Sequence, residues 1–313
     1  MAVETDGTNR TESPGEEQGL LARILDSDLL HSFLRNRLVV VAAIVTLAFV
    51  LVSLLAPWIA PHDPYDVRTL NLLDSHTPPV WEEGGDPRFL LGTDDQGRDI
   101  LSTILFGARS SIAIGILSVL LAVAIGVTLG LIAGYFGGPI DTIIMRIADV
   151  QLTFPAILTA LLIDGVARVL FGTHGSGGGE FWILVVSIGL SFWVQYARTV
   201  RGITLVERNK EYVQAARLIG LSSFNIMFNQ VLPNVMSPVL VIATINLALA
   251  ILTEATLSFL GVGLPPTEPS LGTLIRIGNN FLMSGEYWIV IFPGIALVAL
   301  VVAVNLLGDW LRD

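Results

Sequence analysis

Apolar residues run along this chain in long uncharged stretches separated by polar, Gly- and Pro-rich connectors. The first run, Leu38 to Ala60, follows Arg35 and Arg37 and reads as an uncleaved membrane span. A second, Ile112 to Gly134, carries Gly126 and Gly130 as a small-xxx-small pair, which lets another helix backbone approach closely. The third, Ile147 to Leu170, includes Asp149, Asp164 and Arg168, and the fourth, Phe181 to Ala197, is short and uncharged. A glycine-rich turn, Gly172 to Glu180, lies between them. Val235 to Leu260, with Glu254, and Tyr287 to Leu307 complete the series. Runs near the roughly 20 residues needed to cross a hydrocarbon core predict an all-α polytopic membrane protein with six transmembrane helices. Both termini then share one side.

This pattern divides the chain. Residues 1–37 are a cytoplasmic, partly disordered acidic tail, 38–60 the first transmembrane helix and 61–110 an extracytoplasmic loop. Residues 111–313 form a five-helix core with a cytoplasmic loop at about 198–234. Of the 17 basic residues, eleven fall on the side of the termini and six on the other, which predicts cytoplasmic N- and C-termini.

Composition removes other classes. With 53% hydrophobic and only 14% charged residues, a soluble domain is excluded. The net charge of -10 argues against a nucleic-acid partner, because phosphates need a basic face. There is no cysteine, and His31, His62, His76 and His174 show no paired spacing, so no metal site is expected. Gly175 to Gly179 is not followed by Gly-Lys-Ser/Thr, so the chain has no nucleotide cradle. No catalytic residues are expected. A transporter built this way takes its energy from elsewhere, although a passive channel also fits.

Buried charges have two readings each. Glu254 is a substrate or proton ligand, or a packing acid bonded to a neighbouring hydroxyl. Asp149 is a candidate for the pore near its inner end. Asp164 and Arg168, four residues apart, read as a surface ion pair at the outer boundary in preference to a substrate contact. The acidic, Pro-rich stretch Pro61 to Arg109 is a lid or part of a docking platform.

The segment between the fourth and fifth spans is the most informative. Glu211, Tyr212, Gln214, Ala215, Ala216 and Arg217 lead into Gly220; Ser222 or Ser223 caps a second helix, and Pro233 marks its end. Phe224, Ile226, Met227 and Phe228 are too apolar for a water-exposed loop and predict insertion into a groove of another protein.

Ala215-Ala216, Gly220 after three further residues, and Leu232-Pro233 resemble the "EAA" loop of permease subunits of binding-protein-dependent ABC importers; Gln214 stands where that motif has glutamate. Three more stretches resemble the C-type subunit of the dipeptide, oligopeptide and nickel branch. These are Leu54 to Pro64, Leu91 to Ser111 and Glu254 to Ser270. The resemblance implies the type I importer permease fold and translocation of dipeptides or oligopeptides. It also implies a homologous second permease, one or two cytoplasmic ATPases carrying ATP and Mg, and an extracytoplasmic solute-binding protein. The segment 198–234 would be the contact with the ATPase. A secondary transporter or channel subunit for a small polar solute is the alternative.

Overall fold

The structure, a computed structural model, describes residues 33–66, 68, 70–171, 179–268 and 270–312. The expected disordered tail up to residue 32, and 172–178 of the glycine-rich turn, lie outside the described residues. The described residues are helical, apart from connectors and a lone antiparallel bridge between Thr93 and Asp99.

Helix α1 (Arg37–Ile59) starts where the Asn36 side chain accepts from the Leu38 amide, 3.2 Å away. Helix α2 (Ile100–Phe136) has 37 residues and, at 1.5 Å per residue, is about 55 Å long, well beyond a hydrocarbon core. It begins at Ile100, so 100–110, expected as loop, is helix. Ser102, Thr103 and Ser111, which break the apolar run in sequence, are buried and bonded. Ser102 donates to the capping Asp99 at 2.5 Å, Thr103 to the Ile100 carbonyl at 2.9 Å, and Ser111 Oγ accepts from the Leu271 amide at 3.2 Å. Their polarity marks helix under a loop, not exposure.

The third span is not continuous. Helices α3 (Gly138–Leu152) and α4 (Ala156–Phe171) meet at a 100° bend. Pro155 lacks an N–H and disfavours helical geometry at Phe154, so the helix stops at Thr153-Phe154 and restarts in another direction. Helix α5 (Gly179–Glu207) is followed by the short α6 (Glu211–Leu218). Helix α7 (Ser223–Phe259) runs unbroken through 37 residues. The amphipathic α8 (Leu271–Asn279), capped by Ser270, precedes α9 (Trp288–Arg312). Among the described residues five helices are long and apolar enough to span, and the bent pair α3/α4, taken as one broken span, makes six.

Helices α2 and α5 form the centre. A Cβ on Gly126 would lie 2.5 Å from the Trp193 carbonyl, one on Gly130 2.5 Å from that of Ala197, and one on Gly134 2.6 Å from Thr204 Cβ. The two backbones therefore touch over three turns, the close approach expected of the small residues. Helices α1 and α9 pack together beside this pair.

One end of the bundle collects 60–99, the end of α4, and 260–287. There the 72–99 loop lies across the start of α9: His76 Nδ1 is 2.5 Å from Glu286, Trp288 Nε1 donates to the Thr93 carbonyl at 3.1 Å, and Tyr287 bonds Glu82. The opposite end holds the α2–α3 corner, the α6 turn, and Trp310 edge-on to Phe33.

Candidate functional site

Helix α6 ends in a tight turn at Gly220, whose φ of +86° lies in the left-handed region that only glycine adopts freely. The Leu221 amide reaches back to the Ala216 carbonyl at 3.1 Å and the Gly220 amide to that of Arg217 at 3.0 Å, closing the helix C-terminus. Ser222, not Ser223, caps the next helix through the Asn225 amide at 3.3 Å. The two helices flank a turn whose geometry depends on one residue.

Three anchors fix α6 to the bundle. The Glu207 carboxylate accepts from Lys210 at 2.6 Å and from the Tyr212 hydroxyl at 2.5 Å, and Asn234 donates to that hydroxyl at 3.1 Å. Burial, then the adjacent Glu207 carboxylate, push the Tyr212 phenol above its ordinary value of 10.0. Arg217 stacks on the Tyr135 ring, 5.0 Å from its centroid, at the end of α2. Arg208 donates to the Gly134 and Tyr135 carbonyls at 2.8 and 3.3 Å, placing a cation at the negative end of α2. Gln214 donates to the Asn209 carbonyl at 3.0 Å, and Ala216 packs inward with Val213. Glu211 and Ala215 face outward.

The expected apolar insert divides. Ile226 and Met227 are 1% exposed within the bundle's own core, so Ile226 is not a docking side chain. Phe224 and Phe228 point outward and are joined by Leu218 and Ile219, 89% and 79% exposed, which sequence reasoning missed. The apolar pairs straddling Gly220 were the available signal.

Pro233 does not end the second helix. Residues Ile226–Val231 adopt π geometry, and the Leu232 amide bonds Met227 O, five residues back. The widened turn leaves room where a proline ring would strike the carbonyl four residues before it. Asn234 donates to the Gln230 carbonyl at 2.9 Å. The turn therefore runs directly into the fifth span.

Of the candidate acids, Asp149 pairs with Arg198 across α3 and α5, both half exposed, while Arg201 holds Asp141 at 2.5 Å one turn nearer the α6 end. Gln151 completes this ladder, accepting from Trp193 Nε1 at 2.8 Å and donating to the Leu190 carbonyl at 2.6 Å. Glu254 is fully buried and its Oε1 accepts from Ser258 at 2.7 Å. The Asp164–Arg168 surface pair is corrected: Asp164 is 0% exposed, and Arg168 reaches beyond it to the carbonyls of Val262 and Gly263. Among the described residues, no group of His, Cys, Asp or Glu could hold a metal ion.

A multi-pass helical bundle with a rigid surface turn continuous with one span defines a transmembrane subunit of a transporter. The model of the binding-protein-dependent transport system inner membrane component matches residues 126–313, and that of the N-terminal TM domain of oligopeptide transport permease C matches 27–79. The chain is 41% identical over 281 residues to the dipeptide transport system permease protein DppC of Haemophilus influenzae, covering 90% of each. It is 41% identical over 283 residues to the Escherichia coli K12 protein of that name, again covering 90% of each. To the di/tripeptide transport system permease protein DppC of Pseudomonas aeruginosa it is 36% identical over 301 residues, 96% of this chain and 95% of that one. A chain of the inward-facing MetNI methionine ABC transporter superposes with a TM-score of 0.53 at 20% identity, covering 67% of this chain and 94% of that one, and shares the fold.

The chain therefore belongs to the binding-protein-dependent ABC importer permeases, in their OppC/DppC branch. It is a multi-pass membrane protein and a non-catalytic component of a complex with an ATPase and a binding protein.

Proposed function

We propose that this chain forms one half of a pore, beside a homologous second permease, through which dipeptides or oligopeptides delivered by an extracytoplasmic binding protein enter the cell. One or two cytoplasmic ATPases, carrying ATP and Mg, dock on the α6 turn. The observation that carries this reading is the turn itself: exposed Leu218, Ile219, Phe224 and Phe228 on a frame anchored by Glu207, Tyr212 and Arg217. Apolar side chains of this size on an anchored helix pair fit a groove on a partner. The substrate class rests on the names of the relatives, which transport dipeptides and di/tripeptides.

Orientation follows from charge. Eleven basic residues on the side of the termini and the α6 turn, against six opposite, support cytoplasmic N- and C-termini. Asp149 and Arg198, half exposed near the inner end of the span, belong beside a water-filled path, since lipid would not solvate them.

Purification of the tagged chain in mild detergent, with identification of what accompanies it, tests the assembly. Gly220→Asp, which sets a charge beside the exposed Leu218 and Ile219, is expected to insert normally, lose the ATPases and abolish peptide uptake. Normal uptake by that variant would remove the docking assignment.

A further inference from the structure

The turn after the fifth span is gripped from two sides by guanidinium groups, each anchored by an aspartate four residues earlier. From α4, Arg168 Nε donates to Asp164 Oδ2 at 2.6 Å, while Nη2 donates to the carbonyls of Val262 and, at 3.1 Å, Gly263. Its Nη1 lies 3.7 Å from Glu180 at the start of α5. From the entry to α2, Arg98 Nε donates to Asp94 Oδ2 at 2.6 Å and Nη1 to the Pro266 carbonyl at 2.6 Å. Both aspartates and Arg98 are buried, and Arg168 is partly exposed.

The turn is stiff by construction. Gly261 takes φ +86°, the Val262 amide reaches back to the Leu257 carbonyl at 3.0 Å, and a Cβ at Gly263 would overlap Ser258 Oγ at 1.9 Å. Its carbonyls stand at the negative end of α7, where a cation is favoured. A guanidinium can bond its own carboxylate along one edge and the turn's carbonyls along the other in one fixed plane, whereas an ammonium offers three rotatable donors and no such fork.

Helix α7 runs unbroken from the docking turn at Ser223 to Phe259, immediately before this grip. A displacement at its inner end, carried past the π segment and Pro238, reaches 261–266, where the two arginines bond the turn to the entry of α2 and to α4. We propose that Arg168, with Arg98, is a positioning residue that couples movement of the fifth span to the outer half of the broken third span. Closing of the inner end is thereby tied to opening of the outer end. This rests on the importer reading above.

The test reconstitutes the complete complex in proteoliposomes with its binding protein and a dipeptide. Uptake and ATP hydrolysis are measured at equal amounts of assembled complex. Wild type is expected to show uptake and hydrolysis that depend on the binding protein; if it shows neither, the importer reading fails rather than this one. In Arg168→Gln, hydrolysis is expected to persist while uptake per ATP falls at least tenfold; Arg168→Lys recovers part of it. The double variant Asp164→Asn/Arg168→Gln, which leaves no unpaired buried charge, should match Arg168→Gln, and Arg98→Lys should lower the same ratio from the other grip. A merely structural role would reduce uptake and hydrolysis together. Unchanged uptake per ATP in assembled Arg168→Gln, or in the double variant should the single one not assemble, would overturn the proposal.

Discussion

Replacing Gly130 by alanine adds one methyl group, and the structure says where it goes. The new Cβ would lie 2.5 Å from the Ala197 carbonyl oxygen, 2.8 Å from Val200 Cβ and 3.0 Å from Ala197 Cα. Carbon contacts are comfortable near roughly 3.5 Å, so the helices must part by about 1 Å. Two of the three obstructing atoms are backbone, so a rotamer change cannot relieve the overlap. A gap of that size forfeits about a quarter to a half of the dispersion energy of the lining atoms, and overpacking of this kind costs about 1 to 3 kcal/mol. Gly202, on α5, is the control, because a Cβ there meets nothing within 4 Å. Gly202→Ala should gain up to about 1 kcal/mol of helix propensity. Gly130→Ala shares that gain, so the two substitutions should differ by the overpacking cost, roughly 1 to 3 kcal/mol, measured by titrating the purified protein with SDS in mixed micelles and following tryptophan fluorescence. Equal midpoints would refute the claim that backbone contact between α2 and α5 holds the centre together.

Other outcomes follow from the same structure. At Gly220, where a Cβ meets open space but φ is +86°, Gly220→Asn should keep near-normal ATPase association, and Gly220→Val should weaken it at least tenfold in pull-down titrations. Tyr212→Phe removes the hydroxyl shared by Glu207 and Asn234, worth about 1 kcal/mol, and should raise the Kd for the ATPase a few-fold; an unchanged Kd would mean that α6 needs no such anchor. Burial, then the neighbouring Asp94 carboxylate, raise the Asp95 carboxyl above its ordinary 3.8. The folded state thus favours the protonated form, and its contribution is lost as pH rises through that raised value. Asp95→Asn should raise thermal stability at pH 7 and leave it unchanged near pH 3, a difference that scanning fluorimetry at the two pH values would detect.

The spans were legible because lipid-facing helices announce themselves by composition: Leu38 to Ala60 was expected and Arg37–Ile59 is found. Where the chain turns against itself, hydropathy misled. Ser102, Thr103 and Ser111 look like loop residues until the α8 region is laid over them. Pro155 was visible, but averaging over Ile147 to Leu170 hid its break. The α6 turn was readable through Gly220 and its flanking helix signals. Which of its apolar side chains point inward was not, because Ile226 and Met227 are buried by residues far away in sequence. Arg168 shows the same limit, since Asp164 is its neighbour along one helix but Val262 lies 94 residues on.

The π segment at Ile226–Val231 gives the fifth span one residue more per turn than an α-helix. Converting it to ordinary α geometry with no residue removed would swing everything before it by about 100° about the helix axis. Gly220, Ser222 and Phe224 would then address a different sector of the membrane surface, with every side chain chemically intact. Removing one residue together with that change would cancel the swing, so the wide turn, through the extra residue it holds, sets where the α6 turn faces.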